Sequence, residues 1–307
     1  MEGVRDGPPV RWHRHGWNTA TVLSLARWGV AHFPRRVSDG VGYVGSWLAY
    51  RVMKEETGAL IDNQHVVAPG LDGRALRALA LRTYRCYVSE QADLLRSLSM
   101  DPRDLGSFLS PSSTFVPVRV DRGGMLIVTG HLGNVELGGV LLSVLFDYPL
   151  TAVVLSEEDP VVNNLRRETR ARFGIESLEV RGAVDTALRL RRLLAENKAV
   201  AIVADRALGR DRVDVEFFGR PTGFLRSPAL MAAATGAPLV PSFILRQPDG
   251  LYAGVASDPI YVDSSGDRDA AVQAAMQAFA RLLETYVRAY PHLWYQFYPY
   301  WGPEGGS

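Results

Sequence analysis

The chain has 307 residues, which is enough for one large α/β domain or two smaller ones with a buried core. Apolar residues make up 47% and charged residues 22%, as is typical of a folded globular protein, and the formal net charge of +1 gives no support to nucleic-acid binding. Because Cys86 is the single cysteine, an intramolecular disulfide framework is excluded, and a cytosolic or cytosol-facing location is compatible with the sequence.

The first third of the chain is predicted to be helical. Residues 1–16 contain Gly and Pro and are predicted to form a flexible lead, and residues 17–105 are predicted to form a helical N-terminal region. The helical segments are expected at 17–33, at 39–53 and from Asp72 to about residue 99.

Tryptophan and arginine are concentrated near the N-terminus. Four of the six tryptophans lie there, namely Trp12, Trp17, Trp28 and Trp47. Tryptophan with arginine on short amphipathic helices suits the membrane interface, because indole favours the headgroup level and arginine meets lipid phosphate. Two ordinary helices packed on the protein body explain the pattern equally well.

No segment of the sequence reaches the roughly 20 apolar residues that a membrane-spanning helix needs. Residues 1–14 also lack the apolar run of a signal peptide. We therefore expect a protein that is neither secreted nor integral to the membrane, with peripheral attachment left open.

Residues 106–307 are predicted to form an α/β core, integrated with the N-terminal helices into one domain. Apolar strands alternate with helical segments from Met125 onward. The strands are expected at 125–129, 150–155, 177–180, 199–204, 213–217 and 239–245, with a possible edge pair within 251–262. The helices are expected at 135–145, 160–173, 184–196, 227–235 and 268–290. This alternation predicts a mostly parallel or mixed central sheet flanked by helices.

The segment with the clearest chemistry follows the first of these strands. Gly130 permits a tight exit from the strand, and Asn134 is a good N-cap for the helix that begins at residue 135. His131 is therefore expected at the carboxyl end of a strand and beside a helix N-terminus, where open α/β sheets place ligands.

His131 and Glu136 are the candidate catalytic pair. Residues five apart on one helix do not face each other, so the two can meet only if His131 lies in the preceding loop and folds back. Glu136 could then accept the imidazole N–H and leave the other ring nitrogen free to take a proton. Such a histidine suits acyl transfer as a general base, although a histidine in a capping loop is the plainer explanation of the pattern.

Four ordered blocks resemble the bacterial lipid A biosynthesis and phosphatidylinositol mannoside acyltransferases, within the lysophospholipid acyltransferase superfamily. The blocks are the His-x4-Glu segment 130–137, the arginine-containing segment 169–174, the Asp205-Arg206 dipeptide that ends a strand, and the Phe-Phe-Gly and Thr-Gly-Ala segments within 213–241. The resemblance covers residues 120–300 well and the N-terminal third only loosely.

The resemblance implies transfer of a fatty acyl group from acyl-CoA or acyl carrier protein to a hydroxyl of a membrane glycolipid or phospholipid, without a cofactor or a metal. It implies a peripheral enzyme at the cytoplasmic face of the bacterial inner membrane, with His131 as base and Glu136 as its orienting partner. Substrate binding is expected from Asn134, Arg170, Asp205 and Arg206. Arg166, Arg167 and Arg172 compete with Arg170 for its role.

Two alternatives remain open at this point. A lipid thioesterase or other hydrolase could use the same His–Glu pair on water, and a relative without catalytic activity could bind lipid. The aromatic run 294–301 is explained either by core packing or by contact with an acyl chain or the membrane interface.

Overall fold

A computed structural model of the chain describes residues 20–111, 113, 124–155, 160–180, 182–263 and 265–302. The predicted flexible lead lies outside these residues, as do Trp12 and Trp17.

The N-terminal region is helical, as the sequence predicts. Its helices are α1 (Ala20–His32), α2 (Arg35–Val52), α3 (Lys54–Val67) and α4 (Gly73–Ser97), followed by a 3-10 helix (Pro102–Phe108). The side chain of Asp72 caps α4 by accepting from the backbone N–H groups of Arg74 and Ala75, as its position before the helix suggests. Helix α3 was not predicted, because its buried face includes the polar residues Asn63 and Gln64 and so breaks the apolar repeat.

The predicted mixed sheet with flanking helices is confirmed. In the part of the chain described, six strands pair in the order β3-β2-β4-β1-β7-β8, parallel except for the antiparallel edge pair β7–β8. The strands are β1 (Met125–Thr129), β2 (Leu150–Val154), β3 (Glu176–Glu179), β4 (Ala199–Val203), β7 (Leu239–Arg246) and β8 (Tyr252–Ala256). The helices that follow α4 are α5 (Val135–Phe146), α6 (Pro160–Arg172), α7 (Ala183–Ala195), α8 (Ser227–Thr235) and α9 (Arg268–Ala289), and a second 3-10 helix spans Pro291–Leu293.

Two strand predictions differ from the structure. Strand β5 (Val213–Phe217) pairs only with β6 (Arg220–Phe224) in a separate antiparallel hairpin, because the left-handed Phe218 and Gly219 turn the chain back at once. The predicted edge pair within 251–262 is one strand, β8, and an isolated bridge from Ile260 to Leu239.

The side chains of β1 point alternately into two apolar clusters. Leu126 and Val128 belong to the cluster that also holds α9 residues, whereas Met125 and Ile127 belong to the cluster that holds α5 residues. The central strand is therefore covered on both faces, and the candidate site begins at its carboxyl end.

Candidate active site

The neighbouring parallel strands β1 and β4 deliver His131 and Asp205 to one edge of the sheet. Thr129, the last residue of β1, pairs in register with Val203, the last residue of β4, so the two site residues lie two positions beyond matched ends. Gly130 allows this approach, since a Cβ there would lie 2.8 Å from the side chain of Leu283 and 3.2 Å from Oδ2 of Asp205.

Asp205 holds His131 through two hydrogen bonds. The backbone N–H of His131 donates to Oδ2 over 2.9 Å, and Nδ1 of the ring lies 2.6 Å from Oδ1. Because an ionised carboxylate only accepts, Nδ1 carries the hydrogen, and Nε2 of the neutral imidazole is the proton acceptor. The side chain of Asp205 is fully buried, whereas that of His131 is 31% exposed, so the histidine is the member of the pair that can meet a substrate.

The surroundings favour a neutral imidazole beside an ionised carboxylate. Burial lowers the pKa of His131, and Arg206 adds to that effect against the opposing charge of Asp205. Burial would raise the pKa of Asp205, but His131 and Arg206 together hold it below its usual range. A neutral, oriented histidine is the protonation state that a general base needs.

The contact expected for Glu136 requires a correction. We expected Glu136 to accept the imidazole N–H, but Asp205 is the acceptor at Nδ1, while Glu136 accepts from Arg170 Nε over 3.1 Å and from its Nη2 over 2.5 Å. The reason is the strand order. Strand β4 lies directly beside β1, so Asp205, two positions after the end of β4, lies within hydrogen-bond distance of His131. A role for Glu136 in the reaction stays a prediction.

Arg170 is the arginine of its segment that points inward. It is 6% exposed, whereas Arg167 and Arg172 are exposed and Arg166 is half-buried. Burial would raise the pKa of Glu136, but Arg170 outweighs burial and Arg166 adds to its effect, so the pKa of Glu136 is lowered. The structure thus places a charged Glu136–Arg170 pair at the first turn of α5.

Asn134 caps α5 as predicted. Its Oδ1 accepts from the backbone N–H of Leu137 over 3.2 Å, and its Nδ2 donates to the backbone carbonyl of Glu90 over 2.8 Å. Both ends of this buried amide therefore have partners inside the protein, and substrate binding by Asn134 stays a prediction.

The C-terminal aromatic segment packs directly against the histidine loop. The N–H of Gly133 donates to the carbonyl of Leu293, and the N–H of Tyr295 donates to the carbonyl of His131. Trp294 is fully buried, as core packing requires. Arg206, predicted to bind substrate, lies across this segment, with its Nη2 2.6 Å from Oε1 of Gln296.

The sequence profile of the bacterial lipid A biosynthesis acyltransferases matches residues 19–302, which is most of the chain. The chain belongs to this family. The predicted family resemblance is thereby confirmed, including over the N-terminal helices, where the sequence motifs give only a loose match.

The chain is also similar to curated acyltransferases. The chain is similar to a phosphatidylinositol mannoside acyltransferase of Mycolicibacterium smegmatis, with 31% identity over 179 residues that make up 58% of this chain and 57% of the relative. It is 30% identical to the protein of the same name from Mycobacterium tuberculosis strain H37Rv, over 58% of this chain and 54% of the relative. The match therefore spans little more than half the length of these relatives.

Sequence reasoning missed one contact and one residue of the site. Asp205 was predicted to bind substrate, but its contact with His131 was not predicted, and the signal for that contact is the matched ends of β1 and β4. Gln296 was not singled out, since no local pattern connects position 296 with position 205. Within the ranges described above, no group of three or more His, Cys, Asp or Glu side chains is arranged to hold a metal ion.

Proposed function

We propose that the protein is an O-acyltransferase that moves a fatty acyl group from a thioester donor to a hydroxyl group of a membrane glycolipid or phospholipid. The donor is acyl-CoA or acyl carrier protein. The observation that carries the proposal is the partly exposed His131 held at Nδ1 by the buried Asp205, in a chain of the lipid A acyltransferase family.

The proposed reaction uses the unprotonated Nε2 of His131. Nε2 takes the proton of the acceptor hydroxyl while its oxygen attacks the thioester carbon, forming the new C–O bond. The C–S bond then breaks, and the departing thiolate takes the proton from the imidazolium. Asp205 stabilises the imidazolium between these two steps by its charge and by its hydrogen bond to Nδ1.

The charged residues around His131 have different proposed tasks. Arg206 is half-buried beside His131 and Asp205. We propose that its guanidinium binds the phosphate of the donor or of the acceptor. Arg170 is paired with Glu136, and the two side chains hold the first turn of α5; we assign to the guanidinium of Arg170 a second contact with the substrate. These assignments keep Arg170 and Arg206 as substrate-binding residues, with Asn134 shaping the loop.

The direct test is acyl transfer by the purified protein. The protein is incubated with palmitoyl-CoA, or with palmitoyl carrier protein, and extracted bacterial membrane lipid, and the lipids are analysed by mass spectrometry. The proposal expects a lipid whose mass has increased by one acyl group. Release of free fatty acid at the same rate with and without acceptor lipid would instead support a hydrolase.

We further propose that α1 and α2 dock on the cytoplasmic face of the bacterial inner membrane. A stripe of apolar side chains runs along α2 at intervals of three and four residues, and every member is at least 47% exposed: Val37, Val41, Val44, Leu48 and Val52. Exposed Trp28 and Trp47 lie on the same two helices, and Arg51 stacks over Trp47 with 5.2 Å to the ring centroid. Exposed arginines beside apolar groups fit an anionic lipid surface.

The described helices are all too short or too polar to cross a bilayer. The proposed attachment is interfacial and rests on the exposed apolar stripe of α2. The test is flotation with vesicles that contain anionic phospholipid, using a variant with Val44→Ser and Leu48→Ser. Since burying such side chains contributes about 1.5–3 kcal/mol each, we expect at least tenfold weaker binding.

A matched control is available on α7. Val184 and Leu188 have the same four-residue spacing and are 75% and 63% exposed. Changing both to serine is expected to leave vesicle binding unchanged. Equal losses for the two double variants would contradict docking through α2.

A further inference from the structure

Gln296 lies fully buried between Asp205 and Arg206. Its Nε2 donates to Oδ2 of Asp205 over 3.3 Å, and its Oε1 accepts from Nη2 of Arg206 over 2.6 Å. This is the amide orientation that satisfies both neighbours, because a carboxylate only accepts and a guanidinium only donates. A neutral side chain thus bridges two opposite charges that follow each other in the chain.

The backbone around Gln296 is fixed from α3. Nδ2 of Asn63 donates to the carbonyl of Gln296 over 3.0 Å and to that of Tyr298 over 2.7 Å, and Oδ1 of Asn63 accepts from the N–H of Tyr300. The hydroxyl of Tyr300 then donates to the backbone carbonyl of Asp205 over 2.5 Å. The amide of Gln296 is therefore held at a defined place relative to Asp205.

We infer that Gln296 is a positioning residue for the acyl transfer: its amide keeps the guanidinium of Arg206 from pairing directly with the carboxylate of Asp205, which leaves that carboxylate turned to His131. The inference rests on the proposed function. Without the amide, Arg206 is free to draw Asp205 toward itself, and the hydrogen bonds to His131 weaken.

Two charged residues that follow β4 act on His131 in opposite directions: Arg206 lowers its pKa and Asp205 raises it. The C-terminal segment contributes the tyrosines Tyr295, Tyr298 and Tyr300, which stay uncharged because burial raises the pKa of each, that of Tyr298 to about 12. Burial is the largest influence on the pKa of His131, and a change in how Asp205 and Arg206 interact changes the charge effects that add to it.

Two substitutions should shift the pKa of His131 in opposite directions. Gln296→Met removes the bridge, so direct Arg206–Asp205 pairing lowers the pKa of His131. Gln296→Glu adds a negative charge beside the pair, so the pKa of His131 rises. For Gln296→Met we also expect kcat to fall about ten- to a hundredfold with KM changed little, since hydrogen bonds to a charged group are lost.

The decisive readout is the imidazole pKa of His131, measured by NMR on the full chain. The chain has six histidines, and the resonance missing from a His131→Gln variant assigns the signal. The matched control is Gln64→Met, because Gln64 is equally buried but donates to Thr83 in the N-terminal helices. We expect this control to lose thermal stability without moving the pKa of His131.

Opposite shifts for the Met and Glu variants support the inference. If the pKa of His131 shifts in the same direction in both variants, or in neither, the inference is overturned and Gln296 has a packing role only. If Gln296→Met does not fold, Gln296→Glu is the remaining test. A raised pKa of His131 supports the inference, and an unchanged pKa overturns it. A wild-type protein that transfers no acyl group would defeat the proposed function, while the NMR titration would still report on the Gln296 bridge.

Discussion

Asp205 and His131 are 74 positions apart in the chain, yet one carboxylate accepts from both the backbone N–H and the ring N–H of the histidine. The backbone bond fixes the loop and the ring bond fixes the tautomer. Asp205 therefore sets both the place and the chemical state of the proposed base.

Substitution of Asp205 by asparagine should abolish most activity while leaving the fold in place. An amide presents an N–H as well as an oxygen, so it can hold the imidazole in the wrong tautomer, with Nε2 protonated. We expect kcat for acyl transfer to fall about 10²- to 10⁴-fold, measured by thioester consumption. Asp214→Asn, at a side chain that is 63% exposed, is the control and should retain full activity. A loss of less than threefold for Asp205→Asn would contradict the role of the pair.

The pH dependence of kcat/KM should report the lowered pKa of His131. Burial and Arg206 lower that pKa below its ordinary value of 6.5, so the base is already unprotonated at neutral pH. Activity should fall as pH drops through an inflection below 6.5, where the imidazole takes up a proton, and should be level from there through neutrality. An acid inflection above pH 7 would contradict the description of the site.

Glu136 is expected to matter for stability through Arg170. Glu136→Ala leaves the buried guanidinium without its carboxylate, a change that costs roughly 3–5 kcal/mol in fully buried pairs. Because the Glu136 side chain is 34% exposed, we expect a smaller loss of about 2–3 kcal/mol in chemical denaturation. Glu196→Ala, which removes the partner of the exposed Arg192, should leave the midpoint unchanged. Equal midpoints for the two variants would show that the inward pair is not structural.

Gly133 should be far less tolerant of substitution than another glycine of similar backbone conformation. Both Gly133 and Gly174 have positive φ, at 69° and 71°, but a Cβ at Gly133 would lie 1.9 Å from the carbonyl oxygen of Ile244, whereas one at Gly174 makes ordinary contact. Gly174→Ala should cost about 1–2 kcal/mol, from the left-handed conformation alone. Gly133→Ala should cost about 4 kcal/mol or more, or prevent folding. Comparable midpoints in thermal unfolding would refute this difference.

The sequence predicts those features that depend on neighbours along the chain. The β1 strand with its bounds, the cap at Asn134 and the start of α4 after Asp72 follow from local periodicity and capping, and the structure confirms them. The arrangement of strands does not follow from such signals. Glu136 was assigned to His131 because it is close in sequence, while the adjacency of β1 and β4 that brings Asp205 there depends on packing of the whole sheet.

Contacts between distant segments account for the other differences. Helix α3 lacks a clear apolar repeat because Asn63 is buried to bind the backbone at Gln296 and Tyr298. The division of the chain into a lead, an N-terminal helical region and an α/β core, with boundaries after residues 16 and 105, stays a prediction. The inward orientation of Arg170 could not be chosen from sequence, since four arginines share that short segment, and its burial against Glu136 decides it.

The most direct test of the central claim is the rate of acylated lipid formation by His131→Ala, measured by mass spectrometry beside the wild-type protein with the same thioester and lipid. The claim predicts a rate about 10²- to 10⁴-fold lower, with vesicle binding and thermal stability close to those of wild type. Undiminished formation of the acylated lipid by His131→Ala would contradict it.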